Sequence, residues 1–319
     1  MFIPIAGTAL STATMNASIS IIIATSGHAE SLGRLLESLY QVEGGNEINA
    51  EIIVANNAPD EATARAVETL VERYAQRGRY HCWQVREPLP GKCRAQNRAI
   101  PLAKGSILAF LDDDVEVTPH WLQSIDNFFA SFPHEVMQGS IVMRDEDRKD
   151  PQLQKALERY RTIDFIDYGS PPGADLKTLT GGNIAVRREV FQQVGLFDER
   201  LGPGRAGYSE DVEFAKRLLK AGMRIGYEPR VSVYNEMDPN RLTEESFRIR
   251  HERHGRSRLV QKNNSVFTII PDLMRSIWTF GWYSLVGNER RKYRAKGRYY
   301  HYRAMLKEKI KKFKSFNAL

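Results

Sequence analysis

"SILAFLDDDVEVTPHWL", residues 106–122, runs from a mostly apolar segment straight into three consecutive carboxylates, Asp112, Asp113 and Asp114. The apolar segment predicts a buried strand, so the carboxylates would lie at its carboxyl end. Carboxylates this close raise one another's pKa and destabilise a fold unless a cation lies between them. Two interpretations are open: a solvated turn, or a divalent-metal site at the strand end, where open α/β sheets bind their ligands.

The segments around this stretch alternate between strand and helix patterns. Apolar runs typical of strands buried on both faces occur at residues 18–24 and 51–55, and residues 80–85 are predicted to form a third strand. Between the first two, leucines recur at helical spacing from Leu32 to Leu39. This alternation predicts an α/β fold, with a Rossmann-like, mostly parallel central sheet and flanking helices. After Trp121 the order loosens, and residues 225–230 and 231–235 are predicted to form two short strands.

Composition limits the class of protein. The chain has 319 residues, of which 42% are hydrophobic and 27% charged, as in an ordinary soluble domain. Its two cysteines, Cys82 and Cys93, form neither a disulfide framework nor a zinc site and suit a reducing cytosol. Residues 288–319 hold 12 bases and 2 acids, which leaves 34 bases and 37 acids elsewhere. Because the remainder is net acidic and carries no RNA-binding signature, we expect no nucleic-acid partner.

Three regions are expected along the chain. Residues 1–17 lack the Lys or Arg of a signal peptide and are predicted to be a disordered leader. Residues 18–258 are predicted to form the catalytic domain, with a nucleotide-binding half to about residue 114 and an acceptor half after it. Residues 259–319 are predicted to form a helical, aromatic and basic C-terminal extension.

The extension suggests a membrane surface. Trp278, Phe280, Trp282 and Tyr283 cluster among aliphatic residues, and such aromatics favour the headgroup level of a bilayer. The basic segment that follows would attract anionic lipids. We therefore expect a cytoplasmic protein that is peripheral on the inner face of the cell membrane. The alternative is that the aromatic cluster packs on the catalytic domain or on a second subunit of a homo-oligomer, with the basic helix solvated.

The carboxylates indicate a reaction at a diphosphate. A metal held by Asp112 and Asp114 needs a further anionic ligand, and a diphosphate supplies one. Glu210 and Asp211, at the start of the predicted helix "SEDVEFAKRLLKAG", are candidates for a general base. The alternative is a capping box, in which Ser209 caps the helix and the acidic residues favour its first turn.

Together these stretches resemble the glycosyltransferase family 2 proteins, which have the GT-A fold. The resemblance extends roughly from Ile19 to Arg258. It rests on "ISIIIATSGHAESLGRLLESL", on "GKCRAQNRAIPLAKGSILAFLDDDVEVTPHWL" and on "GGNIAVRREVFQQVGLFDERLGPG" with "SEDVEFAKRLLKAG". It implies inverting transfer of a sugar from a nucleotide-diphosphate donor to a saccharide or lipid-linked acceptor, in cell-surface polysaccharide or glycoconjugate synthesis, with Mn²⁺ or Mg²⁺ as cofactor.

The resemblance also implies roles for single residues. Asp211 would be the catalytic base with Glu210 as its neighbour, and Asp112 and Asp114 would hold the metal. Further residues would contact the nucleotide sugar: Thr25, Asn97, Asp112, Asp113, Gly181 and Gly182.

The chain departs from the family pattern at two strand ends. Ala55 stands where relatives usually carry the aspartate that reads uracil, so Asn56 or Asn57 is predicted to read the base. UDP, GDP and dTDP therefore all remain candidate donors. Asn235 stands where many relatives have a histidine that is a metal-ligand candidate, which leaves the third protein ligand open.

The arginine-rich segment "RIRHERHGRSR", residues 248–258, is predicted to act as a lid in which Arg256 or His254 meets the donor diphosphate. The alternative is a solvated basic helix end. For the whole protein, two other functions compete with glycosyl transfer. A sugar nucleotidyltransferase would need a Gly-rich, basic turn after the first strand, and "ATSGHAESLG" is a weak candidate for it. An inert relative that acts as an assembly partner would not need the four carboxylates.

Overall fold

The computed structural model describes residues 18–44 and 47–316, so the predicted leader lies outside the described residues. The strands are β1 Ile19–Thr25, β2 Ala50–Asn56, β3 His81–Arg86, β4 Ile107–Asp112, β5 Val115–Val117, β6 Val136–Val142, β7 Ala174–Leu176, β8 Asn183–Arg187 and β9 Ile225–Asn235. The helices are α1 Ala29–Tyr40, α2 Glu61–Ala75, α3 Lys92–Ala99, α4 Trp121–Ser131, α5 Asp145–Arg148, α6 Pro151–Tyr160, α7 Glu189–Val194, α8 Glu210–Lys220, α9 Glu244–Gln261, α10 Val266–Leu285 and α11 Glu289–Phe316.

The strands form one mixed sheet in the order β3-β2-β1-β4-β8-β6-β9-β5, with β7 beside β9. The first four strands of this order are mutually parallel. The strand β8 runs antiparallel to both β4 and β6, while β6 and β9 are parallel. The predicted nucleotide-binding half is thus the parallel part of the sheet, and antiparallel pairs enter with the second half. The carboxyl ends of β1 and β4 lie at one edge, with Ala24 opposite Asp112.

Helices cover both faces of the sheet, which explains why β1 is apolar at successive positions. Ile21 and Ile23 pack with the leucines of α1 and with α2 and α4 on one face. Ile22 packs on the other face with α3 and α8. Both cysteines are buried and free, as expected for structural thiols.

The two short strands predicted for residues 225–235 are one continuous strand, β9. Its pairing with β6 shifts register between Gly139 and Ser140, where Glu228 and Ser232 are their respective partners. Pro229 lies inside this irregularity. Proline has no backbone N–H, and at this position none is needed for pairing with β6. The sequence pattern detected the interruption, and the structure bridges it with a bulge.

The C-terminal region is helical. The helix α9 is followed by the hairpin of α10 and α11, which packs on α9 through Gly255, Leu259 and Met305. The predicted boundary at residue 258 falls within α9, near its end. None of the helices described is long and apolar enough to cross a membrane.

Candidate active site

The candidate site forms where β1 and β4 end. Thr25, the last residue of β1, donates a hydrogen bond from Oγ1 to Asp113 Oδ2 at 2.6 Å. His28 Nδ1 lies 3.4 Å from the same carboxylate oxygen, and this contact with Asp113 raises the pKa of His28. Asp113, which directly follows β4, therefore connects the end of β4 to the end of β1.

Asp112 faces a largely buried cation, Lys92, that the sequence analysis did not single out. Lys92, the first residue of α3, donates to Asp112 Oδ1, and its Nζ lies 3.7 Å from Glu210 Oε1. Burial alone would lower the pKa of Lys92, but the carboxylates of Asp112, Glu210 and Asp211 together raise it. Lys92 is thus a fixed positive charge among three acids. The signal available in the sequence was a lysine directly after Gly91, at the start of a helical segment.

Glu210 and Asp211 lie at the N-terminus of α8, facing Lys92. Asp211 Oδ2 accepts a hydrogen bond from the backbone N–H of Gly181 at 2.7 Å, and Oδ1 accepts one from Val212 N at 2.7 Å. Burial raises the pKa of Asp211 against the effect of these hydrogen bonds. Burial also raises the pKa of Glu210 to about 7, although Lys92 opposes the shift. Both are stronger bases than ordinary surface carboxylates.

The capping-box interpretation of this segment is wrong. Ser209 occupies the N-cap position of α8, but its side chain makes no capping hydrogen bond. Its backbone φ is +74°, in the left-handed region that few non-glycine residues adopt. Such backbone strain is costly and clusters at functional sites. The acidic residues therefore begin the helix without a Ser209 cap.

Gly181 and Gly182, for which the resemblance implied a contact with the nucleotide sugar, lie close to Asp112, Lys92 and Asp211. Gly182 has φ +97°, and a Cβ at this position would lie 3.2 Å from Asp112 Oδ2. A Cβ on Gly181 would lie 3.6 Å from Lys92 Nζ and 3.8 Å from Asp211 Oδ2. The two residues before β8 therefore lie between Asp112 and Asp211, and a side chain at Gly182 would crowd the Asp112 carboxylate.

Asp114 is paired with a second cation that sequence reasoning missed. Arg241 Nη1 donates to Asp114 Oδ2 at 2.7 Å. Burial and then the charge of Asp112 raise the pKa of Asp114 to about 6, against the effect of Arg241. Asn235, at the end of β9, donates from Nδ2 to Asp164 O, while its buried Oδ1 has no partner among the residues described.

The oxygen atoms of Asp112 and Asp114 could hold a divalent cation only together with oxygens from a bound ligand. Asp112 and Asp114 each keep one carboxylate oxygen free of hydrogen bonds from described residues. Oxygen ligands suit Mg²⁺ and Mn²⁺, and two carboxylates leave most octahedral positions open. No cluster of three His, Cys, Asp or Glu suited to a metal occurs in residues 18–44 and 47–316. A cation here would therefore need oxygens from a bound ligand.

Two predicted nucleotide contacts are engaged elsewhere. Asn97 donates to Phe197 O at 2.9 Å and accepts from Phe197 N at 3.0 Å, which closes its amide against the backbone. Asn57 Nδ2 donates to Glu87 O and Leu89 O, and its Oδ1 accepts from Gly91 N. The structure thus uses Asn97 and Asn57 to fix loops around α3. The alternative base reader, Asn56, is 1% exposed and likewise bonded.

Arg256 is not among the residues of α9 that contact the loop before α8. Those contacts come from residues spaced along another side of the helix: Arg250, Arg253, His254, Ser257 and Gln261. His254 stacks on Tyr208 at 4.5 Å, and Ser257 Oγ accepts from Tyr208 N. Arg256 precedes Ser257 directly, and successive residues of a helix are about 100° apart around its axis. The Arg256 side chain therefore leaves α9 in a different direction from that of Ser257. The arginine-rich segment does adjoin the site, but through other members.

A family model provides an independent comparison. The model described as "Glycosyl transferase family 2" matches residues 20–195, more than half of the chain. The chain belongs to glycosyltransferase family 2. The matched segment includes β1, the carboxylates after β4 and the glycines before β8, whereas Glu210 and Asp211 lie beyond it.

Two curated relatives are similar over shorter segments. The pre-mycofactocin glycosyltransferase of Mycobacterium tuberculosis is 28% identical over 141 residues, 44% of this chain and 28% of that protein. The glucosyl-dolichyl phosphate glucuronosyltransferase of Haloferax volcanii is 26% identical over 119 residues, 34% of this chain and 38% of that protein. The chain thus spans about a third of the length of these two relatives.

Solved structures establish the fold. One is the mannosyltransferase PcManGT from Pyrobaculum calidifontis in complex with GDP-Man and Mn²⁺, with a TM-score of 0.53 and 19% sequence identity. The match covers 76% of this chain and 62% of the PcManGT chain. Another is S. aureus TarS 1-349 in complex with UDP-GlcNAc, with a TM-score of 0.50 and 16% sequence identity. The match covers 75% of this chain and 66% of the TarS chain. The predicted GT-A fold, a central sheet with flanking helices and a helical C-terminal region, is confirmed.

Proposed function

We propose that this family 2 protein is an inverting glycosyltransferase that moves a sugar from a nucleotide-diphosphate donor to a hydroxyl of a saccharide or lipid-linked acceptor. The observation that carries the proposal is the meeting of Asp112, Lys92, Asp211 and the two glycines, Gly181 and Gly182, in one pocket at the sheet edge. Structural neighbours bind GDP-Man and UDP-GlcNAc, which supports a nucleotide-sugar donor. We assign the product to cell-surface polysaccharide or glycoconjugate synthesis.

In the proposed reaction the acceptor oxygen attacks the anomeric carbon while the bond to the diphosphate breaks on the opposite face, so the configuration inverts. The acceptor proton passes to Asp211 Oδ1 or Oδ2. Since burial raises the pKa of Asp211, its carboxylate takes a proton more readily than a solvated aspartate. The backbone N–H of Gly181 fixes the orientation of this carboxylate. Glu210 is the neighbouring acid, in contact with Lys92.

The leaving diphosphate needs positive charge at the other end of the pocket. Lys92 and Arg241 are two cations already at this edge, paired with Asp112 and Asp114 respectively. Groups fixed in advance stabilise developing charge without reorganisation of solvent. Mn²⁺ or Mg²⁺ held by Asp112 and Asp114 would supply further positive charge to the diphosphate. Thr25 orders this end by fixing Asp113.

Ligand binding and transfer can be tested separately. We expect UDP, GDP or dTDP sugars to raise the melting temperature of the full chain, and the correct donor to do so most, with Mn²⁺ or Mg²⁺ present. A ligand at one hundred times its Kd adds about 2.7 kcal/mol to the free energy of unfolding. Asp211→Asn should keep this shift and lose transfer by at least about 100-fold, the lower range for general-base catalysis. Asp114→Ala should lose the metal-dependent part of the shift.

The matched control is Glu189→Gln, which neutralises an exposed first-turn carboxylate of α7 and should change neither binding nor transfer. Near-normal turnover in Asp211→Asn would show that the base is another residue. Absence of a melting shift with every donor in the panel would contradict the nucleotide-sugar assignment.

A further inference from the structure

The outer face of α10 is an uncovered apolar surface. Phe267 is 88% exposed, Trp278 68% and Leu285 85%. Together with them, four more large apolar side chains of this helix are exposed: Ile270, Met274, Ile277 and Trp282. We call these seven residues the α10 stripe. The opposite face of α10, through Ile269 and Ser276, is buried in the C-terminal region.

The α10 stripe is continuous and uncharged. At 3.6 residues per turn its members span an arc of about 140° and a length of about 27 Å along the helix. Only Pro271 and Gly281 share this arc, so it holds no charged side chain, and Asp272 and Arg275 lie outside it. The indole rings of Trp278 and Trp282 stack at 6.1 Å on this surface. A helix with this asymmetry and too short an apolar span to cross a bilayer suits the plane of the interface.

At the end of α10 that joins α11 lies a cavity of about 430 Å³ lined by Tyr283, Arg291, Arg294 and Arg298. Helical periodicity places Tyr283 on the face of α10 that is turned away from the stripe. The three arginines are spaced along one face of α11, and Arg291 lies over the Tyr283 ring at 5.6 Å. Their side chains make no ion pair or hydrogen bond to the residues described. Unpaired guanidinium groups around one cavity are suited to phosphate oxygens. We call these three residues the arginine cluster.

We propose that the α10–α11 hairpin docks on an anionic phospholipid surface, with the α10 stripe inserted among acyl chains and the arginine cluster binding headgroup phosphates. An interfacial helix buries its apolar face about 5–10 Å deep. Packed helices lie about 8–10 Å apart, so α11 would sit at headgroup level behind a submerged α10. The membrane surface facing the cytoplasm carries the negative charge that such a cluster needs.

Charge favours lipid over a second copy of the chain. A two-fold interface would place the α10 stripe against itself, because such interfaces are self-complementary. Such an interface is apolar on both sides and supplies no acid to the arginine cluster, whose side chains make no ion pair with the residues described. An anionic bilayer supplies apolar and negative surface together.

Flotation of the full chain with vesicles tests this docking. Phosphatidylcholine vesicles containing phosphatidylglycerol should bind the protein at low salt, and added salt should weaken binding. The triple variant Arg291→Gln, Arg294→Gln, Arg298→Gln should bind on the order of 100-fold more weakly, since each base near the surface contributes to the attraction. Trp278→Ser with Trp282→Ser should abolish binding and the accompanying blue shift of tryptophan fluorescence. All five residues are exposed, so melting temperatures should not change.

The control triple variant, Arg65→Gln, Arg73→Gln, Lys220→Gln, removes the same charge from exposed positions on α2 and α8 and should bind like wild type. An equal loss of vesicle binding in both triple variants would show that net charge alone attracts the protein, and it would overturn the assignment of the arginine cluster as a phosphate site. Failure of the wild type to float with anionic vesicles would also overturn the proposal. So would a dimer that Trp278→Ser with Trp282→Ser converts to a monomer without any vesicle binding.

Discussion

Lys92 decides the charge balance of the candidate site at the scale of single residues. Its ammonium contacts Asp112 and approaches Glu210 to 3.7 Å, while Asp211 adds to the same field. An ion pair in a buried site contributes little net stability, but removing one partner leaves the other charge unpaired at a high cost. The three acids can therefore coexist at neutral pH because Lys92 is present.

Replacing Lys92 by Met should lower the free energy of unfolding by about 3 kcal/mol at pH 8. The pKa of Glu210, already raised to about 7, would rise further without the ammonium. A carboxyl with a folded-state pKa above its unfolded value loses stability as pH rises between the two values. The deficit should thus be smaller at pH 5, where Glu210 is protonated in the folded state.

Urea unfolding at the two pH values measures this difference, with Lys177→Met as the exposed control lysine. A deficit that is the same at pH 5 and pH 8 would mean that Lys92 does not neutralise Glu210.

At the scale of elements, α9 is the connection between the site and the C-terminal hairpin. One side holds the loop before α8, through Ser257 Oγ and Tyr208 N at 3.0 Å. The other side lies so close to α11 that a Cβ on Gly255 would be 2.3 Å from His301 O. His251 is enclosed in the same contact, against Gly297, and burial lowers its pKa to about 4. Neutral histidines and glycines allow the two helices to approach closely.

Two glycine substitutions should have opposite effects for this reason. Gly281, near the C-terminal end of α10, has no neighbour within 4 Å of an added Cβ. Gly281→Ala should therefore stabilise the protein by up to about 1 kcal/mol, the difference in helix propensity. Gly255→Ala gains the same propensity but forces α9 away from the backbone of α11, so it should destabilise by about 1–3 kcal/mol. Urea unfolding of both variants gives the comparison, and stabilisation by Gly255→Ala would contradict the close packing.

At the scale of the whole molecule, α9 and the C-terminal hairpin share a small core that is separate from the two cores of the sheet. Ile269 and Met305 are fully buried where α10 and α11 meet Leu259 of α9. Fully burying a side chain of this size contributes about 2 kcal/mol. The hairpin thus supports α9, and α9 in turn supports the strained loop at Ser209 through the Gln261 side chain.

Ending the chain at Ser265 should lower the melting temperature and expose α9 to hydrogen exchange, although residues 266–313 make no hydrogen bond or ion pair with Asp112 or Asp211. Transfer should fall with it, because the loop before α8 loses its support. Hydrogen exchange followed by mass spectrometry reads α9 directly. Unchanged protection of α9 in the shortened protein would show that the hairpin is only an appendage.

The sequence alone determined the architecture and the acidic edge of the pocket. Continuous apolar runs predict strands buried on both faces, and the parallel order of β1 and β4 brings Thr25 and Asp112 together. Glycines before β8 and acids at α8 were also predicted as site residues, and the structure places them in the same pocket. Each of these features depends on residues that are close together in the sequence, so it can be recognised without knowledge of the tertiary structure.

Only the tertiary structure decided which cations face the acids and which polar groups remain free. Lys92 is 20 positions from Asp112, and Arg241 is 127 positions from Asp114. Asn57 and Asn97 carry the right chemistry for a base or ribose, yet loop backbones occupy both amides. Hydrogen bonds and ion pairs depend on distances of about 3 Å between groups far apart in the chain, and residue spacing does not encode those distances.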